Sequence, residues 1–194
     1  MNSHFFAMLS RMKYIHRWAL MRNSYPENIS EHSLEVAMIS HALANIGNTR
    51  LGKDLNADRA AVIGLFHDCP EIITGDMPTP IKYYNHDTRD AFKKVEDEAS
   101  EKLLDLLPDD MRDAYSPLFF MDEADEYLWK LVKAADRLSA LIKCIEEGKA
   151  GNREFDGARS GIEERLHQME LPEADIFISD FLPSYELTLD ELRK

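Results

Sequence analysis

The chain has 194 residues, of which 44% are hydrophobic and 30% are charged, a composition typical of a single globular domain. Its eight glycines and eight prolines exclude collagen-like and low-complexity chains. The formal net charge of −13 disfavours a nucleic-acid polymer or an anionic membrane as partner. It still allows a small anionic substrate where a metal or a few cations reverse the local field.

Apolar residues recur at helical spacing along almost the whole chain, which predicts an all-α, single-domain globular helical bundle over residues 1–194. The predicted helices span residues 3–14, 28–46, 58–73, 87–107, 123–147, 155–169 and 172–181.

Local signals predict where some of these helices begin and end. Asn28, followed three residues on by Glu31, is typical of a capping box that opens the second helix. Glycines at Gly47 and Gly52 are expected to break that helix. Two prolines and a glycine over residues 74–80 predict a rigid loop after the third helix.

Both cysteines, Cys69 and Cys144, lie in apolar helical patterns and not in paired spacings. We therefore expect reduced, buried thiols of a cytoplasmic protein. The first residues lack the apolar run of a signal peptide, and no segment approaches the ~18 apolar residues of a membrane span.

The third predicted helix ends in a cluster of titratable side chains. Residues 60–66 are apolar on all sides, which is typical of a helix buried in the core, and His67, Asp68 and Glu71 follow directly. Because charged groups are costly to desolvate there, we expect them to be paired or bound to a cation. On this helix alone, a structural hydrogen-bonded pair of His67 and Asp68 is an equal alternative to metal binding.

Two other helices each carry one side chain of a metal-ligand type on an apolar face. His32 shares its face with apolar residues one to three turns on, and Asp136 lies inside the apolar segment 128–145. A core histidine is most often only hydrogen-bonded, but a buried aspartate almost always has a partner. Two imidazoles and two carboxylates suit one divalent transition metal with open positions for water and substrate. The predicted ligands are His32, His67, Asp68 and Asp136.

The order of these residues matches the metal signature of the HD-domain metal-dependent phosphohydrolases, an all-helical superfamily. The chain resembles the bacterial 5′-deoxynucleotidase branch of that superfamily over nearly its whole length. The metal signature alone occurs in many activities, whereas the Arg17-Trp18 loop and the GDMPTP run narrow the match. The resemblance is carried by SEHS at 30–33, HDCPE at 67–71, GDMPTP at 75–80, KAAD at 133–136 and FLPSY at 181–185.

The resemblance implies one HD-type phosphohydrolase domain that removes the 5′-phosphate from deoxyribonucleoside monophosphates. It also implies a cobalt- or manganese-like metal bound by the four predicted ligands, and a homodimer. Glu71 matches the catalytic glutamate of the branch, and Trp18 matches the residue that crowds the 2′ position of the sugar. Arg17 and Asp76 match the residues that flank the phosphate.

The chemistry of these side chains agrees with the implied roles. A metal in an open site polarises a phosphoryl oxygen and lowers the pKa of water toward ~7, and Glu71 can orient or deprotonate that water. Arg17 can bind phosphate through two hydrogen bonds, and Asp76 can protonate the leaving sugar oxygen if its pKa is raised. Lys143, seven residues after Asp136, falls on the same helix face and is a further candidate for phosphate binding.

Other interpretations of the sequence stay open. Arg17, Trp18 and Asp76 also have ordinary structural explanations, as a solvated arginine, a hydrophobic anchor and an Asx-turn. One alternative function is an HD phosphohydrolase acting on a triphosphate, cyclic or signalling nucleotide. Another is a non-catalytic, metal-stabilised helical binding module. A triphosphate site would need more basic residues than Arg17 and Lys143, and Glu71 beside the ligands favours an enzyme.

Overall fold

The computed structural model describes residues 2–82 and 84–194, and within them the chain is helical. These residues contain no β-strand, only an isolated antiparallel bridge between His16 and Asn28, so the all-α prediction is confirmed. The α-helices are α1 Phe5–Leu9, α2 Ile29–Leu51, α3 Ala57–Phe66, α4 Glu71–Thr74, α5 Thr79–Lys82, α6 His86–Leu104, α7 Asp109–Tyr115, α8 Glu126–Lys149, α9 Asp156–His167, α10 Pro172–Asp180 and α11 Leu189–Leu192. Short 3₁₀ turns lie at Ser10–Tyr14, Ser116–Leu118, Glu123–Asp125, Arg153–Phe155 and Leu182–Glu186.

The core lies where α2, α3 and α8 pack against one another. Leu43 of α2, Ile63 of α3 and Leu138 of α8 are all fully buried there. Burial of each such side chain stabilises the fold by roughly 1.5–3 kcal/mol. The two helices α9 and α10 cover α8 and α2. The three central helices and the turn that follows α3 carry all four predicted metal ligands.

A second apolar cluster attaches the N-terminal segment and α6 to the end of α3. It includes Phe5 and Met12 from the first turns, Cys69 after α3, and Leu103 and Leu104 from α6. No helix in the described part of the chain combines the length and apolar character needed to cross a membrane.

The start of α2 is as predicted and its end is not. The Asn28 side chain accepts the N–H groups of Ser30 and Glu31, and the Glu31 side chain accepts the N–H of Asn28, which completes the capping box. The helix continues through Gly47 and ends at Gly52, whose φ of +67° is the left-handed conformation that glycine tolerates best.

The predicted break at Gly47 is wrong because this glycine serves packing. A Cβ at this position would lie 2.8 Å from Cδ1 of Leu55 and 2.9 Å from Oε1 of Glu173. Gly47 thus lets neighbouring side chains approach the helix, and the backbone stays helical.

The third predicted helix, over residues 58–73, is interrupted. Helix α3 ends at Phe66, a turn follows, and Pro70 caps the short helix α4. The predicted loop over residues 74–80 ends early, because α5 begins at Thr79. The sequence analysis also missed α7, whose polar sequence has weak periodicity but whose first turn carries Asp109 and Asp110, which stabilise a helix N-terminus.

A buried ion pair on α8 fixes the two segments that flank the core. Lys143 and Glu147, one turn apart, are both almost fully buried. The Glu147 carboxylate also accepts the Asn152 amide at 2.7 Å and the Ser24 N–H at 2.8 Å, and Lys143 donates to the Tyr25 carbonyl. Burial alone would raise the pKa of Glu147, but these hydrogen bonds outweigh it and lower the pKa to about 2.

The close approach of α3 to α2 at Gly64 is expected to tolerate no side chain. A Cβ there would lie 2.9 Å from Cα of Ala37, a backbone atom that cannot move aside. Gly64→Ala should lower the free energy of unfolding by about 1–3 kcal/mol in urea titrations. The matched control is Gly148→Ala on α8, where the added Cβ meets nothing within 4 Å. It should be neutral or stabilising by up to about 1 kcal/mol. Equal effects of the two substitutions would contradict the packing argument.

The buried pair also predicts a dependence of stability on pH. Since the pKa of Glu147 is lowered from 4.5 to about 2 in the folded chain, its ionised form stabilises the fold above pH ~4.5 and that contribution is lost as pH falls toward 2. Glu147→Gln should lower the free energy of unfolding at pH 7 by about 3 kcal/mol, because Lys143 keeps an uncompensated buried charge, and should flatten the decline between pH 4.5 and 2. Glu163→Gln, which removes an exposed partner of Arg159, should change it by less than about 0.5 kcal/mol. Urea unfolding at three pH values measures the free energy of unfolding of both variants. A Glu147→Gln variant whose stability declined with pH as in the unaltered protein would contradict the lowered pKa of Glu147.

Candidate metal centre and substrate site

The structure brings the four predicted ligand side chains together. His32 lies in the first turn of α2, His67 and Asp68 follow α3, and Asp136 lies in the middle of α8. Ligand atoms of His32, His67 and Asp68 all lie within 4.8 Å of one another. Nε2 of His32 is 3.4 Å from Oδ2 of Asp68 and 3.2 Å from Oδ1 of Asp136. Nε2 of His67 is 3.2 Å from the same Asp68 oxygen.

The hydrogen bonds of the two imidazoles show that this donor set fits a metal ion. Nδ1 of His67 donates to the Gly64 carbonyl at 2.7 Å, and Nδ1 of His32 is 3.0 Å from Oγ of Ser139. Nε2 of each ring is buried and has no hydrogen-bond partner among the described residues. Two bare ring nitrogens facing carboxylate oxygens form a typical site for a divalent transition metal.

The protonation states of these side chains depend on one another, because their charged groups lie close together. Burial opposes ionisation of Asp68, yet the imidazoles of His67 and His32 hold its pKa well below its usual range. The pKa of Asp136 is also lowered, because the imidazoles of His32 and His67 lie close to its carboxylate and together outweigh burial. Burial lowers the pKa of His67, but the nearby Asp68 and Asp136 carboxylates and the Gly64 carbonyl together raise it by more. Both aspartates are therefore ionised at neutral pH.

Arg17 reaches the same carboxylates from the loop before α2. Its Nη1 is 3.4 Å from Oδ2 of Asp68, its Nη2 is 4.0 Å from Oδ1 of Asp136, and its Nε is 3.4 Å from Oε2 of Glu27. Burial would lower the pKa of Arg17, but Asp68 and Asp136 raise it above its ordinary value. The guanidinium therefore stays charged at the edge of the ligand group, and Arg17 is not a solvated loop arginine.

Trp18 is held in one orientation by several contacts. Its Nε1 donates to Oε2 of Glu27 at 2.8 Å, and its ring packs edge-on against Phe155 with centroids 5.2 Å apart. Its φ is +59°, a conformation that is unusual and strained for a bulky residue. Such strain is typical of functional sites, where the surrounding structure fixes it.

Glu71 and Asp76 complete the group of acidic side chains. Glu71 is the first residue of α4 and only 7% exposed, and its Oε2 has no hydrogen-bond partner within residues 2–82 and 84–194. Burial raises the pKa of Glu71 to about 10, and the charges of Asp68 and Asp76 act in the same direction. Burial and Asp68 also raise the pKa of Asp76, against the opposing effects of Arg17 and the Trp18 N–H.

Lys143 does not join these groups. Its ammonium is engaged by Glu147 and the Tyr25 carbonyl, and it lies 5.8 Å from the centroid of the Phe155 ring. Lys143 lies two turns after Asp136 on α8, as the sequence spacing predicted. Its positive charge is paired with Glu147, one turn further along the helix. Lys143 therefore supports Phe155, against which Trp18 packs, and its contacts do not favour the predicted phosphate-binding role.

A cavity of about 420 Å³ opens beside His67 and Asp136. Its wall on α8 is formed by Trp129, Lys130 and Lys133, which the sequence analysis did not single out. Lys133 stands one turn before Asp136 in the KAAD segment, so helical spacing from a predicted ligand is the signal that finds it. Glu27 carries no signal in the sequence, because only the tertiary structure brings it to Arg17 and Trp18.

Comparison with known proteins agrees with this geometry. A family model described as 5′-deoxynucleotidase YfbR-like matches residues 4–185. A 5′-deoxynucleotidase of Vibrio atlanticus is 48% identical over 190 residues, which cover 98% of this chain and 98% of that protein. A 5′-deoxynucleotidase of Erwinia tasmaniensis is 49% identical over 191 residues, covering 98% of this chain and 96% of that protein.

Solved structures share the fold at lower sequence identity. An HD-domain phosphohydrolase from Listeria innocua has a TM-score of 0.82 at 21% identity, covering 98% of this chain and 92% of that one. The cyanophage S-2L HD phosphohydrolase DatZ, bound to dA and one catalytic Zn²⁺ ion, has a TM-score of 0.65 at 21% identity, covering 94% and 96%. The fold is thus the all-helical HD-domain fold, and the chain belongs to the 5′-deoxynucleotidase YfbR-like family.

Proposed function

We propose that this protein is a metal-dependent 5′-deoxynucleotidase, which hydrolyses deoxyribonucleoside 5′-monophosphates to the deoxyribonucleoside and phosphate. The observation that carries the proposal is the convergence of two bare imidazole nitrogens and two ionised carboxylates with a buried guanidinium. Such a site suits an anionic ester together with a divalent cation. Membership of the 5′-deoxynucleotidase family supports the choice of substrate.

The metal is held by four side chains in this proposal: His32, His67, Asp68 and Asp136. When bound, a divalent metal supplies Lewis-acid chemistry, withdrawing electron density from a phosphoryl oxygen and increasing the acidity of water. Following the family resemblance, we propose one cobalt or manganese ion as the native metal. Metal analysis of the purified protein tests this choice.

Arg17, Glu71 and Asp76 carry the remaining chemistry. The Arg17 guanidinium is charged and lies against the ligand carboxylates, where it can bind and orient the phosphate. Glu71 positions the attacking water and accepts its proton, and a cation among the ligands favours the ionised form that this role requires. Asp76, whose pKa is raised, carries the proton that the leaving 5′ oxygen takes up.

Trp18 determines the choice of sugar in this proposal. A ring held by Glu27 and Phe155 in a strained backbone conformation cannot yield to an added hydroxyl. A 2′-hydroxyl placed against it is excluded by steric contact, which discriminates without any hydrogen bond. Lys133 adds positive charge to the cavity wall, whereas the charge of Lys130 is balanced by Glu126, 2.9 Å away in the same wall.

We further propose a cytoplasmic homodimer with no nucleic-acid polymer or membrane as partner. Both cysteines are free and buried, as expected for thiols that stay reduced in the cytoplasm. Leu34 and Met38, one turn apart on α2, are more than half exposed and offer an apolar face for a second copy. Sedimentation velocity measures the oligomeric state.

Isosteric substitutions separate metal binding from catalysis. Asp136→Asn should lose both bound metal and activity, because it removes a ligand charge. Glu71→Gln should keep the metal and the nucleotide but lose about 100-fold or more in kcat, the scale expected for removing a general acid–base group. Metal analysis and phosphate release at saturating metal measure the two effects. Loss of metal from Glu71→Gln would make Glu71 a ligand and overturn its proposed role.

The role of Trp18 predicts the substrate preference. Consumption of the nucleotide, followed by chromatography, should be faster for dAMP than for AMP, and faster than for dATP or a cyclic nucleotide. Trp18→Ala should raise the rate on AMP relative to dAMP by at least about tenfold. Trp129→Ala controls for loss of an indole from the cavity wall and should leave this ratio within about twofold. Equal use of dAMP and AMP by the unaltered protein would remove the basis for the role of Trp18, and preference for the triphosphate or cyclic nucleotide would overturn the proposed substrate.

A further inference from the structure

A chain of hydrogen bonds runs from the proposed metal ligand His32 to a carboxylate on the next turn of its own helix. Nδ1 of His32 is 3.0 Å from Oγ of Ser139, and that oxygen is 2.6 Å from Oε2 of Glu35. Ser139 lies one turn after Asp136 on α8, and Glu35 lies one turn after His32 on α2. Two contacts between α2 and α8 therefore stand side by side, His32 with Asp136 and Glu35 with Ser139.

The direction of these hydrogen bonds follows from the groups that make them. The Ser139 hydroxyl has a single proton, and it donates this proton to Oε2 of Glu35. The same oxygen must then accept from His32, which places the ring proton on Nδ1. Oε1 of Glu27 is 3.8 Å from Nδ1, beyond hydrogen-bond range, so it does not replace Ser139.

The consequence appears at the other ring nitrogen. Nε2 of His32 lies beside carboxylate oxygens of Asp68 and Asp136, which would attract a proton to the position where the metal is proposed to bind. A proton fixed on Nδ1 of the neutral ring leaves Nε2 with its lone pair. The backbone carbonyl of Gly64 accepts the Nδ1 proton of His67. For His32, the side chain of Ser139 accepts the corresponding proton.

We propose that Ser139 and Glu35 are positioning residues of the metal site, which hold the proton of His32 on Nδ1 and orient Nε2 toward the metal. Ser139 is fully buried. Glu35 is the last group in this series of hydrogen bonds, and it lines a second cavity together with Glu146. The inference rests on the proposed role of His32 as a metal ligand. Partners of this kind typically change metal affinity by 10- to 100-fold.

The test measures the dissociation constant of Co²⁺ for the full-length protein by competition with a chelating dye. Ser139→Ala should weaken Co²⁺ binding by about 10- to 100-fold, and Glu35→Ala by about tenfold. Because Glu35 acts through Ser139, the double variant should bind Co²⁺ within about twofold of Ser139→Ala alone. At saturating Co²⁺ the kcat of both single variants should return to within about threefold of the unaltered protein, since the residues do not touch the substrate.

Two control variants separate this role from general effects. Ser40→Ala removes a fully buried hydroxyl on α2 that has no hydrogen-bond partner in the described part of the chain. This variant should leave the dissociation constant of Co²⁺ unchanged. Glu146→Ala removes a negative charge from the same cavity without the link to Ser139 and should also leave it unchanged.

The remaining outcomes overturn the proposal or separate it from the function on which it rests. The proposal would be overturned if Ser139→Ala bound Co²⁺ as tightly as Ser40→Ala. It would also be overturned if the double variant lost the full Co²⁺ affinity expected from adding the effects of Ser139→Ala and Glu35→Ala. If Ser139→Ala does not fold, the Co²⁺ affinities of Glu35→Ala and Glu146→Ala are compared instead. Equal Co²⁺ affinities of these two variants would overturn the proposal. His32→Gln tests the underlying assumption: unchanged Co²⁺ affinity there would refute the ligand role itself. Lost affinity in His32→Gln with normal affinity in Ser139→Ala would refute only the positioning role.

Discussion

Two carboxylates and two imidazoles meet at the centre of three packed helices, and this buried polar group constrains the rest of the fold. Burying an ionised carboxylate is costly unless opposite charge compensates it, and Arg17 lies 3.4 Å from the largely buried Asp68 and 4.0 Å from Asp136, whose side chain is 39% exposed. The glycine at Gly64 links packing to this site. Its missing side chain lets α3 approach α2, and its carbonyl orients the His67 ring. A shift of α3 would therefore disturb both the core and the ligand geometry.

The loop between the first helical turns and α2 depends on contacts made well away from the ligands. Glu27 binds the Trp18 indole and pairs with Arg17, so one carboxylate orients two of the residues proposed to contact the substrate. The buried pair of Lys143 and Glu147 fixes the same loop through the backbone of residues 24 and 25. The strained conformation of Trp18 persists because these contacts leave the loop no alternative.

The sequence predicted the elements that depend on local pattern. Helical periodicity located the main helices, and polar residues on apolar faces located His32, His67, Asp68 and Asp136, which the structure brings together. The errors arise where tertiary contacts override a local signal. Gly47 is a packing glycine inside α2, a role that its sequence neighbours do not reveal.

Lys143 shows a different kind of error. Its partner Glu147 lies four residues further on, so the sequence did contain the signal for an ion pair. The roles of Glu27 and Ser139 could not be predicted, because they arise from contacts between segments more than 100 residues apart or across a loop.

The charge balance of the site also connects metal binding with substrate binding. Although Lys130 and Lys133 line the cavity, the carboxylates of Asp68 and Asp136 outnumber the Arg17 guanidinium that faces them, so a phosphate dianion alone would meet net negative charge. A divalent cation reverses that sign, and nucleotide affinity should therefore depend on the cation. Because binding linkage is reciprocal, the nucleotide must tighten metal binding by the same factor. A divalent cation in one cavity would thus allow a chain with a net charge of −13 to bind a small anion there.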